Sequence, residues 1–413
     1  MPALLGGTGI IGKDIFVKMK AQKSASIQTA SGTVVTFPQS EERAFSGLSI
    51  YGHSTQDGTP TPENPVPIVS TGDSGEINVA VSGKNLIPFP YLSPLSGAGT
   101  VYEVDGVTYT VQADGGIKCV GTPTSIFGPT LCRIRFSEES LNTSGSATNG
   151  KVTLSGGPLY FDSNNNATFI YWDNQIDTPV DMTIYPQIEY GTVATAYEPY
   201  KTPQTLTLST PGGLPGIPVD ASKLPEGMEP TYVDESGQAW VCDEVDFERG
   251  VHVQRVIELD FDGAETWSTW GANNLTEGIT GFYSYVPSGF QKVLTDRMLS
   301  NLLQYAPSAW GGGANGINVS TPNENQYIIC SVYNDCLDDI STDDAAIESW
   351  KNILNTNNLH VMLVLQDPIE TDLTAEEIAA YKALHTYTPN TSVGNDAEAW
   401  MKVGYNEFNK RTF

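Results

Sequence analysis

The chain has 413 residues, and its 48 acidic side chains outnumber its 21 lysines and arginines to give a formal net charge of −27. A surface so acidic repels phosphate backbones, which excludes nucleic acid as a partner. With 40 glycines, 26 prolines and only 17% charged residues, the composition favours short strands and turns over long helices.

Length alone allows two to four domains of roughly 100–200 residues. The strongest apolar run, Val361–Leu365, is too short to cross a bilayer, so no membrane insertion is expected. Met1–Gly12 lacks the basic segment of a secretory leader. Five cysteines, odd in number and without a CxxC pair, read as reduced thiols of a protein assembled in the cytoplasm. Cys119 and Cys132 could face each other across a hairpin, but spacing alone does not pair them.

Residues 1–45 read as an N-terminal docking arm. In the first thirty positions Lys13, Lys18, Lys20 and Lys23 are opposed only by Asp14. A basic segment on an acidic body suits docking onto an acidic neighbour, and equally suits a solvated terminus. Within it, Ser26–Phe37 predicts a hairpin around Ser31–Gly32. Residues 46–82 read as an extended Pro-rich β connector. Phe45–Tyr51 alternates as a strand, Pro60, Pro62, Pro65 and Pro67 preclude a helix, and Glu76–Val81 is the next strand.

Residues 83–200 predict a jelly-roll domain. Its strands are expected at Val107–Gln112, Gly116–Val120, Cys132–Phe136, Lys151–Leu154, Thr168–Trp172 and Met182–Glu189, with turns at Asp105–Gly106 and Asp114–Gly115. Residues 201–262 read as an acidic β-hairpin spacer around Gln238–Val241 and the alternating His252–Leu259. Residues 263–368 predict a second β-rich domain with one or two helices. One is expected at Leu294–Leu303. The other follows Ser341–Asp344, which supplies an N-cap, and sets Ile347, Trp350 and Leu354 at helical spacing. Strands Tyr327–Val332 and His360–Leu365 flank it. Residues 369–413 form a C-terminal helix–strand element: a capping box at Thr374–Glu377 opens a helix that buries Ile378, Tyr381 and Leu384, and Ala399–Val403 is the last strand. The expected fold class is mainly β, with tandem β-sandwich or jelly-roll domains and short helices in the C-terminal third.

Two motifs fail on context. Gly7–Gly12 fits G-x-G-x-x-G and Gly7–Lys13 fits the phosphate-loop spacing. Only six residues precede Gly7, too few for the buried strand both motifs require, and Asp14 stands where the phosphate loop needs a hydroxyl. Asp162, Asn164, Asn166 and Asp173 occupy calcium-loop positions, but Ala167 replaces the required Gly and Asp173 the bidentate Glu. An Asn-rich hairpin turn fits better. No cofactor and no metal are therefore expected. The four histidines lie in separate segments, no HExxH or G-x-S-x-G occurs, and no spacing selects a carboxylate pair, so the chain does not read as an enzyme.

Aromatic side chains are the candidates for sugar binding. Trp267 and Trp270 stand in the loop-like Glu265–Gly271, and Tyr171 and Trp172 flank the Asn-rich turn. Tyr160, Tyr283, Tyr285 and Trp310 join them. Most such rings in β proteins fill cores and interfaces instead.

Four strings carry a resemblance. Gly47–Pro62 (GLSIYGHSTQDGTPTP), leading to Pro65–Asp73 (PVPIVSTGD), resembles a segment of minor structural proteins of bacteriophages that infect Gram-positive and gut bacteria. Gly191–Tyr200 (GTVATAYEPY) is similar to the last strand of carbohydrate-binding-like jelly rolls in phage tails and fibres. Trp240–Gly250, and Leu373–Glu377 through Pro389–Thr391, are similar to strings in the same group. The resemblance spans about residues 45–410. It implies a structural component of a phage virion, in the tail, baseplate or fibre, assembled in the host bacterial cytoplasm. The implied partners are other virion proteins, further copies of the chain with a trimer favoured, and a host-surface glycan. A glycan-binding receptor adhesin, a capsid decoration or head-fibre protein, and a virion-bound glycan hydrolase are the alternatives. The group has no shared catalytic motif to transfer.

Overall fold

A computed structural model describes residues 23–28, 34–134, 152–157, 159–164, 167–173, 175–269, 278–286, 293–306, 315–320 and 326–407. These residues are mainly β, in almost wholly antiparallel sheets, with two α-helices in the C-terminal third.

The spine is a seven-stranded sheet in the order Lys23–Gln28, Trp400–Glu407, Gly47–Tyr51, Glu244–Asp246, Val251–Phe261, Leu359–Asp372, Val293–Ser300. Its two longest members, Val251–Phe261 and Leu359–Asp372, pair along most of their length. Val251–Phe261 and the Leu359–Leu365 half of its partner are rich in β-branched and aliphatic residues, which suit a pleated surface covered on both faces, while residues 366–372 are exposed. Their ladder is interrupted once. Gln254 pairs with Ile369 and Val256 with Val364, so residues 365–368 stand opposite Arg255 alone. Pro368 has no amide to give a ladder. On the facing strand, Asp243 Oδ1 instead accepts the amides of Arg255 at 2.7 Å and Val256 at 2.8 Å.

One half of the spine packs on a four-stranded sheet, Gln204–Ser209, Glu76–Ser82, Asn390–Asn395 and Val35–Pro38. Alternation along Glu76–Ser82 sends Ile77, Val79 and Val81 inward. They meet Leu48, Ile50, Val245, Met401 and Val403 of the spine, with Tyr381 from helix α2 (Ala375–Ala383) and Leu384, the residue that caps its C-terminus, closing the edge. The other half packs on a five-stranded sheet, Ser268–Thr269, Ile279–Tyr285, Tyr327–Tyr333, Gly316–Ser320 and Gln304–Tyr305. Between them lies a core of Ile257, Phe261, Leu363, Phe282 and Ile328. Helix α1 (Asp343–Thr356) adds Trp350 and Leu354 to that core, and the Thr342 hydroxyl caps it through the Ala345 amide at 3.1 Å. A three-stranded sheet, Gly216–Val219, Ala239–Cys242 and Tyr232–Val233, lays Ile217, Val219 and Val241 over Val256, Met362 and Val364.

The chain therefore does not run as tandem units. The predicted connector 46–82, spacer 201–262 and terminal element 369–413 supply neighbouring strands of one sandwich. Residues 83–200 leave it and return as an inserted β-sandwich. There a four-stranded sheet (Val180–Ile184, Ile117–Gly121, Val107–Val111, Val101–Val104) shares a core of Tyr109, Ile117, Leu131, Leu154 and Ile188 with shorter sheets. The Asp105–Gly106 turn forms as expected, both residues at positive φ. The predicted strand Met182–Glu189 is split by Pro186 into Val180–Ile184 and Gln187–Tyr190, which join different sheets. Leu159–Asn164 pairs antiparallel with Ala167–Asp173, from Leu159 opposite Trp172 to Asn164 opposite Ala167.

Two further expectations are corrected. Ser26–Phe37 is not a hairpin: Lys23–Gln28 pairs with Trp400–Glu407, while Val35–Pro38 pairs with Asn390–Asn395 in the other sheet. Leu294–Leu303 is not a helix. Val293–Ser300 is an edge strand of the spine, with Leu294 and Met298 entering different cores. Pairing with Leu359–Asp372 overrides the local helical spacing. Lys13, Lys18 and Lys20 lie outside the described residues, and Lys23 begins an edge strand opposite Glu407.

A buried ionic clasp joins the ends of the inserted domain. Lys84, only 8% exposed, places its Nζ 2.9 Å from Glu198 Oε1 and 4.0 Å from Glu189 Oε2. It also donates to the Thr195 hydroxyl at 2.5 Å and the Ala196 carbonyl at 2.6 Å. Asn85 Nδ2 donates to the carbonyls of Pro186 and Glu198, and Asn390 Nδ2 ties Glu198 to the main sandwich at 2.5 Å. Removing the cation leaves two buried carboxylates uncompensated. Lys84→Met is expected to lower unfolding stability by about 3–5 kcal/mol, read by chemical denaturation. An unchanged midpoint would show that the clasp carries no net stability.

Candidate functional site: a polar cleft beside an aromatic stack

Strand Gly47–Tyr51 ends against a crowded neighbour. A Cβ on Gly52 would lie 1.7 Å from the Leu214 carbonyl oxygen, so only glycine lets the two backbones approach. The next residue, His53, is fixed by one threonine. The Thr71 hydroxyl accepts the His53 amide at 3.1 Å, lies 3.1 Å from the His53 carbonyl, and sits 3.0 Å from Nδ1. The imidazole stacks on Trp400, with centroids 4.6 Å apart and planes at 19°. Tyr232 also stacks on Trp400 at 4.3 Å and 5°, and Trp240 meets it edge-on at 5.1 Å. Trp240 Nε1 donates to Asp234 Oδ2 at 3.0 Å. Burial holds the His53 pKa below its ordinary value, only partly opposed by the Glu398 carboxylate. The ring is therefore neutral near pH 7.

A cleft of about 450 Å³ opens next to this stack, bordered by His53, Thr55, Asp73, Glu76, Asp396 and Glu398. Its walls are set by local bonds. Asn395 Oδ1 accepts the amides of Ala397 and Ala399 at 3.1 and 2.9 Å, and Glu398 stands at φ 56°. Asp396 accepts the Asn78 amide at 2.8 Å and its side-chain Nδ2 at 3.0 Å. Ser54 and Ser70 share a hydroxyl contact of 2.9 Å beneath the rim. Four lining residues are acids, and none among the described lining residues is Lys or Arg. Acceptors set around a fixed, neutral imidazole suit the recognition of hydroxyls and cations.

Behind the stack lies Asp243, 3% exposed. Its backbone carbonyl accepts the Gly52 amide at 3.1 Å. Burial pushes its carboxyl up to about 7, although the amides of Arg255 and Val256 and the Arg255 charge pull the other way. The neighbouring Cys242 thiol is pushed by burial up to about 12, which leaves it unreactive. Cys119, Cys242, Cys330 and Cys336 are free thiols, so Cys119 is not bridged to Cys132.

The sequence candidates lie elsewhere. Trp267 is 4% exposed and packs in the second core against Phe261 and Trp350, each 5.6 Å away. Its ring is core filling, not a sugar platform, because α1 covers it. Trp270 falls outside the described residues. Tyr171 pairs with Tyr160, and Trp172 with Leu159, in the backbone ladder of the inserted domain. Trp267 does not border the cleft. His53, Trp240 and Trp400 were not singled out from the sequence, although the first two sit in strings that carry the phage resemblance. Compared with family models, curated proteins and solved structures, the chain has no match.

The raised carboxyl of Asp243 sets the sign of a pH dependence. The native state holds this proton more tightly than the unfolded chain, where a carboxyl titrates near 3.9. Its contribution to stability is therefore complete below about pH 4 and is lost as pH rises through about 7. Asp243→Asn keeps an oxygen acceptor for both amides and removes that loss. The variant is expected to gain stability relative to the parent between pH 4 and 8, by a few kcal/mol at about 1.4 kcal/mol per unit. Denaturant unfolding at both pH values measures it, and a pH-independent difference would refute the assignment.

Proposed function

We propose that the protein is a structural component of a phage virion, in the tail, baseplate or fibre, which acts by shape and contact. The observation that carries this reading is where the resemblance strings lie in three dimensions. Gly47–Asp73, Trp240–Gly250 and Leu373–Thr391, remote in the chain, all contribute to the main sandwich. Gly191–Tyr200 forms its joint with the inserted domain. The resemblance thus follows a scaffold and its attachment point rather than scattered surface loops. Such a scaffold, carrying a β domain on an ionic clasp, suits a projecting part of a repeated assembly. Its net charge of −27 favours solubility at high local concentration. Further copies of the chain, as a trimer, and other virion proteins are its proposed partners.

A glycan-binding adhesin is the second reading, favoured by the polar cleft beside the aromatic stack.

Light scattering on the purified chain, together with mass spectrometry of gradient-purified particles, tests the first reading. A trimer that co-migrates with particles is expected. A stable monomer that is missing from every particle fraction would overturn it. The second reading expects a hit on an array of bacterial surface glycans, and it falls if no glycan is retained.

A further inference from the structure

We infer that the cleft bordered by His53, Asp73, Glu76, Asp396 and Glu398 binds a saccharide unit that carries a free ammonium group. This assigns a ligand chemistry to the second reading above and rests on it. It places the sugar on the main sandwich, not on the inserted domain or the tryptophans of the sequence reading.

Size comes first. At about 450 Å³ the cleft falls within the usual range of small-molecule sites. Charge comes second. With four carboxylates and no Lys or Arg among the described lining residues, an anionic sugar is repelled at short range, while an ammonium gains charge-assisted hydrogen bonds. Hydroxyls can use the same carboxylates as acceptors and the Thr55 hydroxyl as donor or acceptor. The third point is the imidazole. His53 is half-buried, held by Thr71 on one side and stacked on Trp400. A neutral, immobile ring offers an amphipathic surface to the C–H face of a sugar at little cost in side-chain entropy. Finally, the walls are preformed. Asn395 fixes the loop that carries Asp396 and Glu398, and Asn78 orients Asp396. Binding therefore has little to order.

The probe is the fully deacetylated glucosamine tetramer. Its N-acetylated form and a galacturonate tetramer serve as neutral and anionic controls. Each is titrated calorimetrically into the full chain near pH 7, where the His53 ring is neutral, at physiological salt. The amine tetramer is expected to bind at least about tenfold more tightly than the acetylated one, and the galacturonate not at all.

Because a chain this acidic attracts any polycation, the variants decide. Asp73→Asn with Glu398→Gln should weaken the amine tetramer about tenfold. Glu226→Gln with Glu229→Gln removes the same charge from exposed positions outside the cleft and should leave binding intact. His53→Ala should weaken the amine and acetylated tetramers alike. The single substitutions Asp73→Asn and Glu398→Gln, both at exposed side chains, replace the double variant if it fails to fold. Equal losses in the two double variants, galacturonate binding as strong as the amine, or no heat from any tetramer would overturn the assignment. Glycan capture on the array by the inserted domain, with the cleft variants unaffected, would sink it while sparing the adhesin reading.

Discussion

The structure depends on one pair of long strands, Val251–Phe261 and Leu359–Asp372, which lie between the five-stranded sheet and the three-stranded sheet. Their apolar side chains face the second core on one side, through Ile257 and Leu363, and the three-stranded sheet on the other, through Val256 and Val364. A ladder of that length accumulates twist. It is broken where Pro368 withholds an amide, and Asp243 takes over the two backbone donors. The interruption gives the sheet freedom to re-aim its strands between the two sandwiches. A buried carboxylate in that place makes the joint sensitive to proton binding, because desolvation outweighs the bonds it accepts.

The same economy appears at the other joint. The inserted domain leaves after Ser82 and returns at Tyr200, and both ends converge on Lys84. Its cation is satisfied by two carboxylates, a hydroxyl and a carbonyl. Buried charge is tolerated there because every partner is present at once. Asn85, Gln187 and Asn390 complete the network, so the root of the domain is a polar lock between two apolar cores. A scaffold bearing a firmly rooted β domain is the organisation that the proposed role in a particle calls for.

The cleft and the core share their walls. Gly52 lets one strand press against Leu214, which turns His53 toward Trp400, and Trp400 is itself the first residue of a spine strand. Ligand-facing residues are thereby fixed by packing that the sandwich needs anyway. Acidic side chains on the rim continue the charge of the whole surface.

By itself the sequence determined the local elements whose signals are self-contained. Thr342 and Thr374 announce the two helices, because capping needs only a hydroxyl and the next few amides. Alternation in Glu76–Val81 announces a strand with one face inward, the β-branched run His252–Leu259 announces a strand, and Asp105–Gly106 announces a turn. The mainly β fold class follows from the same signals. Tertiary structure alone decided which strands pair. Residues 23–28 and 35–38 look like a hairpin but find separate partners at the far end of the chain. Leu294–Leu303 carries helical spacing but is claimed by a sheet edge. The site was hidden for the same reason. His53, Trp240 and Trp400 are separated by more than a hundred residues at each step, and no local pattern records a contact that exists only once two sheets have closed. Trp267, conspicuous in its sequence context, became core filling because α1 arrives from eighty residues away to cover it.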